Sequence, residues 1–343
     1  MNRAEARRGA VLASRLAVAG LLSVAPLCAD AHLLVVAGVG GEDAYTDRFH
    51  LWSTRVADAA VAAGLRPENV VYLGEREDID PERISARSTG ENVLAEIAAL
   101  AGRSSPGDDV WIVLFGHGSG AAGPPRFNLP GRDLVAAEYA AALEQLPDRR
   151  VVFINASSAS GGFVGPLSQE GRVVITATKS GGQSNESLFG GFLAEAFDGA
   201  AGDANKDGRT SALEAFEFAQ REIERYYRQN GLLRTENALL DDDGDGLGSS
   251  EPAGLEASEA ADGRLASLVY LAQEAEPSTL TAKARELTER RAGIQRRIDE
   301  LRLQRETLDE EVYLSELQEL MVELALVDRE LEEAGGADGE PDP

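Results

Sequence analysis

The chain has 343 residues, with 33 Lys and Arg against 59 Asp and Glu, a formal charge of −26. That length suits one large domain or a domain with appendages. So acidic a balance argues against nucleic acid and anionic membrane surfaces as partners, and it suits a protein that collects cations.

At the N-terminus, Arg3, Arg7, Arg8 and Arg15 precede an apolar run from Leu16 to Cys28, and Ala29-Asp30-Ala31 offers a small-x-small cleavage site. Residues 1–31 therefore read as an export signal, and the expected location is the periplasm or the outside of the cell. The run is short for a bilayer span, and a retained anchor is the alternative. Cys28 is the single cysteine, so cleavage after Ala31 leaves neither a thiol nor a disulfide.

From His32 onward, apolar runs alternate with helical periods. Strands are expected at Leu33–Ala37, Asn69–Leu73, Val110–Phe115, Val151–Ile154 and Val173–Ala177. Helices are expected at Thr46–Ala63, Val93–Ala101, Asp133–Leu146, Glu186–Ala196 and Ala212–Tyr227. Fully apolar strands separated by helices predict an α/β fold with a mainly parallel sheet covered on both faces. In such sheets functional groups gather at the carboxyl ends of the strands. His117, in Gly116-His-Gly118, follows one strand, and Ser157 and Ser158 follow the next.

Residues 203–214, Asp-Ala-Asn-Lys-Asp-Gly-Arg-Thr-Ser-Ala-Leu-Glu, fit the twelve-residue calcium loop of an EF-hand. Asp203, Asn205 and Asp207 supply oxygens at alternate positions, Gly208 permits the sharp turn, and Arg209 offers its carbonyl. Ser211 takes the ninth position and Glu214 closes the site with two oxygens. Ca²⁺ is the expected ion, in a structural role. Residues 241–252 form half of a second such loop. Asp241, Asp243, Asp245 and Gly246 sit correctly, but Pro252 holds the closing position and Glu251 comes one place early. Residues 234–278 read as an acidic surface linker around it.

Leu280, Leu287, Ile294, Leu301 and Leu308 recur every seventh residue, and Leu317, Leu324 and Leu331 do so in another phase. The phase break near Asp309 predicts an antiparallel coiled-coil hairpin over 279–334, with a single kinked helix as the alternative. Self-packing of its seam, or docking of a partner or second copy through 279–333, would bury the apolar positions. The tail from Gly335 reads as disordered.

Phe115-Gly-His-Gly118 and Ser158-Ala-Ser-Gly161, in this order of elements, resemble the caspase-like superfamily, and within it the bacterial relatives of legumain-type peptidases. The resemblance spans roughly Leu33 to Gly248. It implies a domain over 32–233 with His117 as catalytic histidine and Ser158 at the position of the nucleophilic cysteine. A hydroxyl is a far weaker nucleophile than a thiolate and needs a base that a third group orients. No Asp or Glu adjoins His117 in sequence. Three readings follow: an inactive relative that binds peptide or protein, an active hydrolase that uses Ser158 with His117 as base, and a scaffold that acts through the hairpin.

Overall fold

The computed structural model describes residues 30–183, 187–199, 201–205, 208–254, 261–271, 282–305 and 308–335. The segment expected to be an export signal, except for its last two residues, lies outside these, as do Asp207 of the first acidic loop, Leu280 of the heptad series and the tail beyond Gly335.

Among the described residues the core is a seven-stranded sheet. Its strands are β1 (Ala31–Ala37), β2 (Val70–Gly74), β3 (Ile84–Arg87), β4 (Asp109–Phe115), β8 (Arg150–Asn155), β9 (Arg172–Thr176) and β10 (Leu239–Asp241). The spatial order is β10-β9-β8-β4-β1-β2-β3. All pairs are parallel except β10–β9, which is antiparallel. Three two-residue strands, β5 (Gly118–Ser119), β6 (Arg126–Phe127) and β7 (Leu134–Val135), form a small antiparallel sheet after β4.

Alternation along the strands feeds two cores, because successive side chains point to opposite faces. Leu33, Val35, Trp111, Val113 and Phe115 join α1 (Asp43–Ala62), α5 (Phe189–Phe197) and α6 (Ala212–Gln229) on one face. Leu34, Val36, Val110, Ile112 and Leu114 join α2 (Gly90–Arg103), α3 (Ala136–Leu143) and α4 (Val164–Leu167) on the other. Helices on both faces explain why these strands are apolar throughout rather than alternating.

Three departures from the sequence reading have physical causes. β3 is an edge strand with one buried residue, Ile84, and carries no apolar run. The helix expected at 133–146 shortens to α3, because Leu134 and Val135 pair with β6 instead. The segment 234–278, read as a linker, supplies β10 and buries Leu240, Ala266, Leu268, Val269 and Leu271. Leu240 stands before an acidic stretch, and the run Leu268-Val269-Tyr270-Leu271 is short and isolated, so the local pattern understates a contribution that tertiary pairing reveals.

Two long helices end the described chain, α7 (Ala282–Leu303) and α8 (Glu310–Gly335). Leu287, Ile294, Ile298 and Leu301 pack against Leu320 and Val327, with Tyr313, Leu317, Leu324 and Leu331 partly buried beside them. Arg290 and Arg297 both reach Glu323, at 3.3 and 3.2 Å. The Arg264 guanidinium donates to the Arg302 carbonyl (2.6 Å), joining α7 to the segment after β10. No helix among the described residues is long and apolar enough to cross a membrane.

Candidate functional site

β4 and β8 are neighbours in parallel register, Leu114 opposite Asn155, so the residues after them emerge side by side at the carboxyl edge of the sheet. His117 follows β4 and Ser158 follows β8. A Cβ on Gly118 would collide with the Ser158 carbonyl, so this close approach of the two turns requires glycine.

The Ser158 hydroxyl is buried and bound on both sides by main chain. It accepts from the Gly118 N–H (3.2 Å) and donates to the Gly118 carbonyl (3.3 Å). Ser157 is buried too, and its hydroxyl donates to Asn155 Oδ1 (2.6 Å), which also accepts the Ser157 N–H. Asn155 thus ties the turn down, while its own Nδ2 is buried without a partner. Ala159 holds φ = +55°, a left-handed conformation that costs a non-glycine residue energy. Its N–H donates to the Gln183 carbonyl (2.7 Å), and the Gln183 side chain reaches the Thr235 carbonyl (2.8 Å). Ser160 and Gly161 are fastened to Thr178.

The half-buried His117 ring sits edge-on against Tyr45 (centroids 4.7 Å) and Phe49 (5.1 Å) of α1. Burial lowers its pKa. A hydrogen bond from the ring to the Gly40 main chain opposes this, and the Arg48 charge adds to the lowering. Burial thus favours the neutral form of the ring. Among the described residues, no carboxylate bonds to or pairs with this ring, and no hydrogen bond joins it to the Ser158 hydroxyl. The fold brings His117 and Ser158 to adjacent strand ends but gives each a different main-chain partner. Tyr45, Arg48 and Phe49 were not singled out by sequence reasoning. Their signal is the aromatic i, i+4 pair on the inward face of α1.

The acidic loops share one local geometry. In the first, Asp203 Oδ2 accepts the Gly208 N–H (2.9 Å), and Gly208 has φ = +86°. In the second, Asp241 Oδ2 accepts the Gly246 N–H (2.9 Å), and Gly246 has φ = +79°. Ser211 caps α6: its hydroxyl accepts the Glu214 N–H (3.2 Å) and donates to Glu214 Oε2 (2.8 Å). Glu214 Oε1 reaches back across the loop to the Asn205 N–H (3.2 Å). The Arg209 guanidinium lies over the Tyr270 ring, 3.8 Å from its centroid.

In the second loop, carboxylate oxygens of Asp241, Asp243 and Asp245 all lie within 4.8 Å of one another, and this triad could hold a metal ion. Asp241 is fully buried and bound by the Ser168 hydroxyl (2.9 Å). Its pKa is raised by burial and, beyond that, by repulsion from Asp243 and Asp245. Asp262, which accepts the Asp242 N–H (3.1 Å), is pushed up to about 7 by burial and by repulsion from Asp242, Asp243 and Asp241. The donors are all oxygen, the set that hard cations prefer. Asp262, from beyond Pro252, is not part of this triad; its carboxylate is bonded to the Asp242 main chain beside it.

No family model and no curated protein matches this chain. Among solved structures, it is similar to the crystal structure of protein GSU0716 from Geobacter sulfurreducens, at 13% identity, over 62% of this chain and 94% of that one, with a TM-score of 0.41. Likeness at that level carries no functional argument, and the functional reading rests on the site geometry.

Proposed function

We propose that this protein is an exported, non-catalytic relative of the caspase-like peptidases that binds a peptide or protein segment at the carboxyl edge of its sheet. The observation that carries this reading is the engagement of the Ser158 hydroxyl by the Gly118 main chain on both sides. A serine nucleophile needs its proton taken by an oriented base. Here His117 bonds to the Gly40 main chain, and among the described residues no carboxylate bonds to its ring. The order of elements, with His117 and Ser158 on neighbouring strand ends, supports descent from a two-residue hydrolase site. The segment joined to the Ser158 turn through Gln183 and Thr235 also carries Leu232 and Leu233, which are 54% and 89% exposed and offer an apolar rim for a bound side chain.

Ca²⁺ is the ion that best suits both acidic loops. Asp203, Asn205, Ser211 and Glu214, with the Arg209 carbonyl and Asp207, would hold it in the first. Asp241, Asp243 and Asp245 would hold it in the second. Bound calcium would neutralise crowded carboxylates and tie β10 and α6 to the sheet.

A fluorophosphonate probe tests the reading. The expected result is no adduct at Ser158, together with binding of some members of a peptide library and cleavage of none. Stoichiometric labelling that Ser158→Ala and His117→Ala both abolish would establish an active serine hydrolase instead. Absence of any peptide binding, with a partner retained only through residues 279–333, would favour a scaffold.

A further inference from the structure

Five of the eleven exposed large apolar side chains among the described residues belong to one helix, Val312 (45%) among them. Leu314, Met321, Val322 and Leu326 of α8 are 53, 49, 55 and 44% exposed, although the opposite face of the same helix is packed on α7. A groove of about 420 Å³ runs along this outer face, lined by Ser315, Gln318, Glu319, Val322, Glu323 and Leu326. At 100° per residue, the buried side chains Tyr313, Leu317, Leu320, Leu324, Val327 and Leu331 share one side of α8. The outer stripe is centred roughly 160° away.

The centre line of that stripe reads Glu311, Ser315, Gln318, Val322, Ala325, Arg329. The steps are four, three, four, three and four, the spacing of a coiled-coil seam. It begins with an acid and ends with a base. Its two smallest side chains, Ser315 and Ala325, lie one position in from those ends. Each residue and its antiparallel counterpart add to the same number, 640, so a reversed copy sets the acid at one end against the base at the other. Against a reversed second copy, Glu311 would meet Arg329 of the partner subunit, Ser315 would meet Ala325 of the partner subunit, and Gln318 would meet Val322 of the partner subunit. Leu314, Met321 and Leu326 flank the seam and would lose their exposure. The two charged ends are 18 residues apart, about 27 Å along the helix, enough for five turns of contact.

We propose that this chain forms a symmetric dimer through the outer face of α8, antiparallel about a two-fold axis at the level of Leu320. The occupant of the groove is a second copy of α8. The charge pattern selects it: a partner helix must place a base opposite Glu311 and an acid opposite Arg329, five turns apart, and α8 itself does this when reversed. The contact is isologous, so every interaction occurs twice. One feature opposes it. Glu319 lies beside the axis, next to its own image, and two like charges there weaken the pairing.

This inference does not depend on the function proposed for the strand-end site. Sedimentation equilibrium of the full chain, with helix content followed by circular dichroism, tests it. The wild type is expected to show a concentration-dependent dimer mass. Val322→Glu is expected to weaken dimerisation at least tenfold with helicity retained. Glu311→Arg and Arg329→Glu are each expected to weaken it severalfold, and the double variant to recover, because reversal of both charges restores every pair. Glu319→Gln is expected to tighten it. A monomeric wild type at every concentration would overturn the proposal. So would a dimer that Val322→Glu leaves unchanged, or a double charge reversal no better than either single one.

Discussion

The turn that holds Ser158 follows the carboxyl end of β8, the loop that holds Asp241 leaves antiparallel β10 toward the amino end of β9, and the two differ in one respect that decides their chemistry. At the strand ends every hydroxyl is satisfied. Ser158 is bound by Gly118, Ser157 by Asn155, and Ser160 by Thr178. At the acidic loop the carboxylates are crowded, partly desolvated and mutually repulsive, and the pKa of Asp262 is pushed up to about 7. A site whose serine hydroxyls are all paired offers no free nucleophile to a reacting substrate. A site whose charges repel is stabilised by a cation. The family resemblance draws attention to the first region, but the crowded charges are in the second.

The largest effect that would sharpen this contrast is cation removal. With Ca²⁺ at about 100 times its dissociation constant, binding to the folded state alone contributes ~2.7 kcal/mol. Chelation should therefore lower the melting temperature by several degrees, and Asp241→Asn should make the melt less responsive to calcium. A melt that neither chelator nor added Ca²⁺ moves would remove the ion from the account.

A second, somewhat smaller effect tests whether burial of a carboxylate by itself produces the calcium response. Glu236 is buried, and burial raises its pKa, yet it is satisfied by protein donors. It accepts from the Ser187 hydroxyl (2.9 Å) and from the N–H groups of Leu188 (2.9 Å) and Phe189 (3.3 Å) at the start of α5. Glu236→Ala strands those donors and should cost about 2 kcal/mol, measured by denaturant melts, with the calcium response intact. A loss of that response would show that the two carboxylate environments are not independent.

Much of this architecture was legible in the linear chain, and the exceptions follow a pattern. β1, β4, β8 and β9 are apolar because both faces of the sheet are covered, and a run of Val, Ile and Leu is visible without coordinates. β10 was hidden because Leu239 and Leu240 stand alone before an acidic stretch, and only pairing with Thr176 and Ile175 makes them a strand. The position of His117 and Ser158 at neighbouring strand ends could be read from the order of elements. The partners of their polar atoms could not, because the Gly118–Ser158 bonds join residues forty positions apart. Asp262 was missed for the same reason: its proximity to Asp241 and Asp243 comes from a chain reversal, not from motif spacing.

The account's central claim is that the Ser158 hydroxyl belongs to the Gly118 main chain and not to the His117 imidazole. Nuclear magnetic resonance titration of the His117 ring nitrogens, in the wild type and in Ser158→Ala, tests it most directly. The account predicts a midpoint below the ordinary histidine value of about 6.5, because burial lowers it, and the same midpoint and tautomer in both proteins. A midpoint or tautomer that changes when the hydroxyl is removed would mean that the ring and the serine are hydrogen-bonded in solution, and would contradict it.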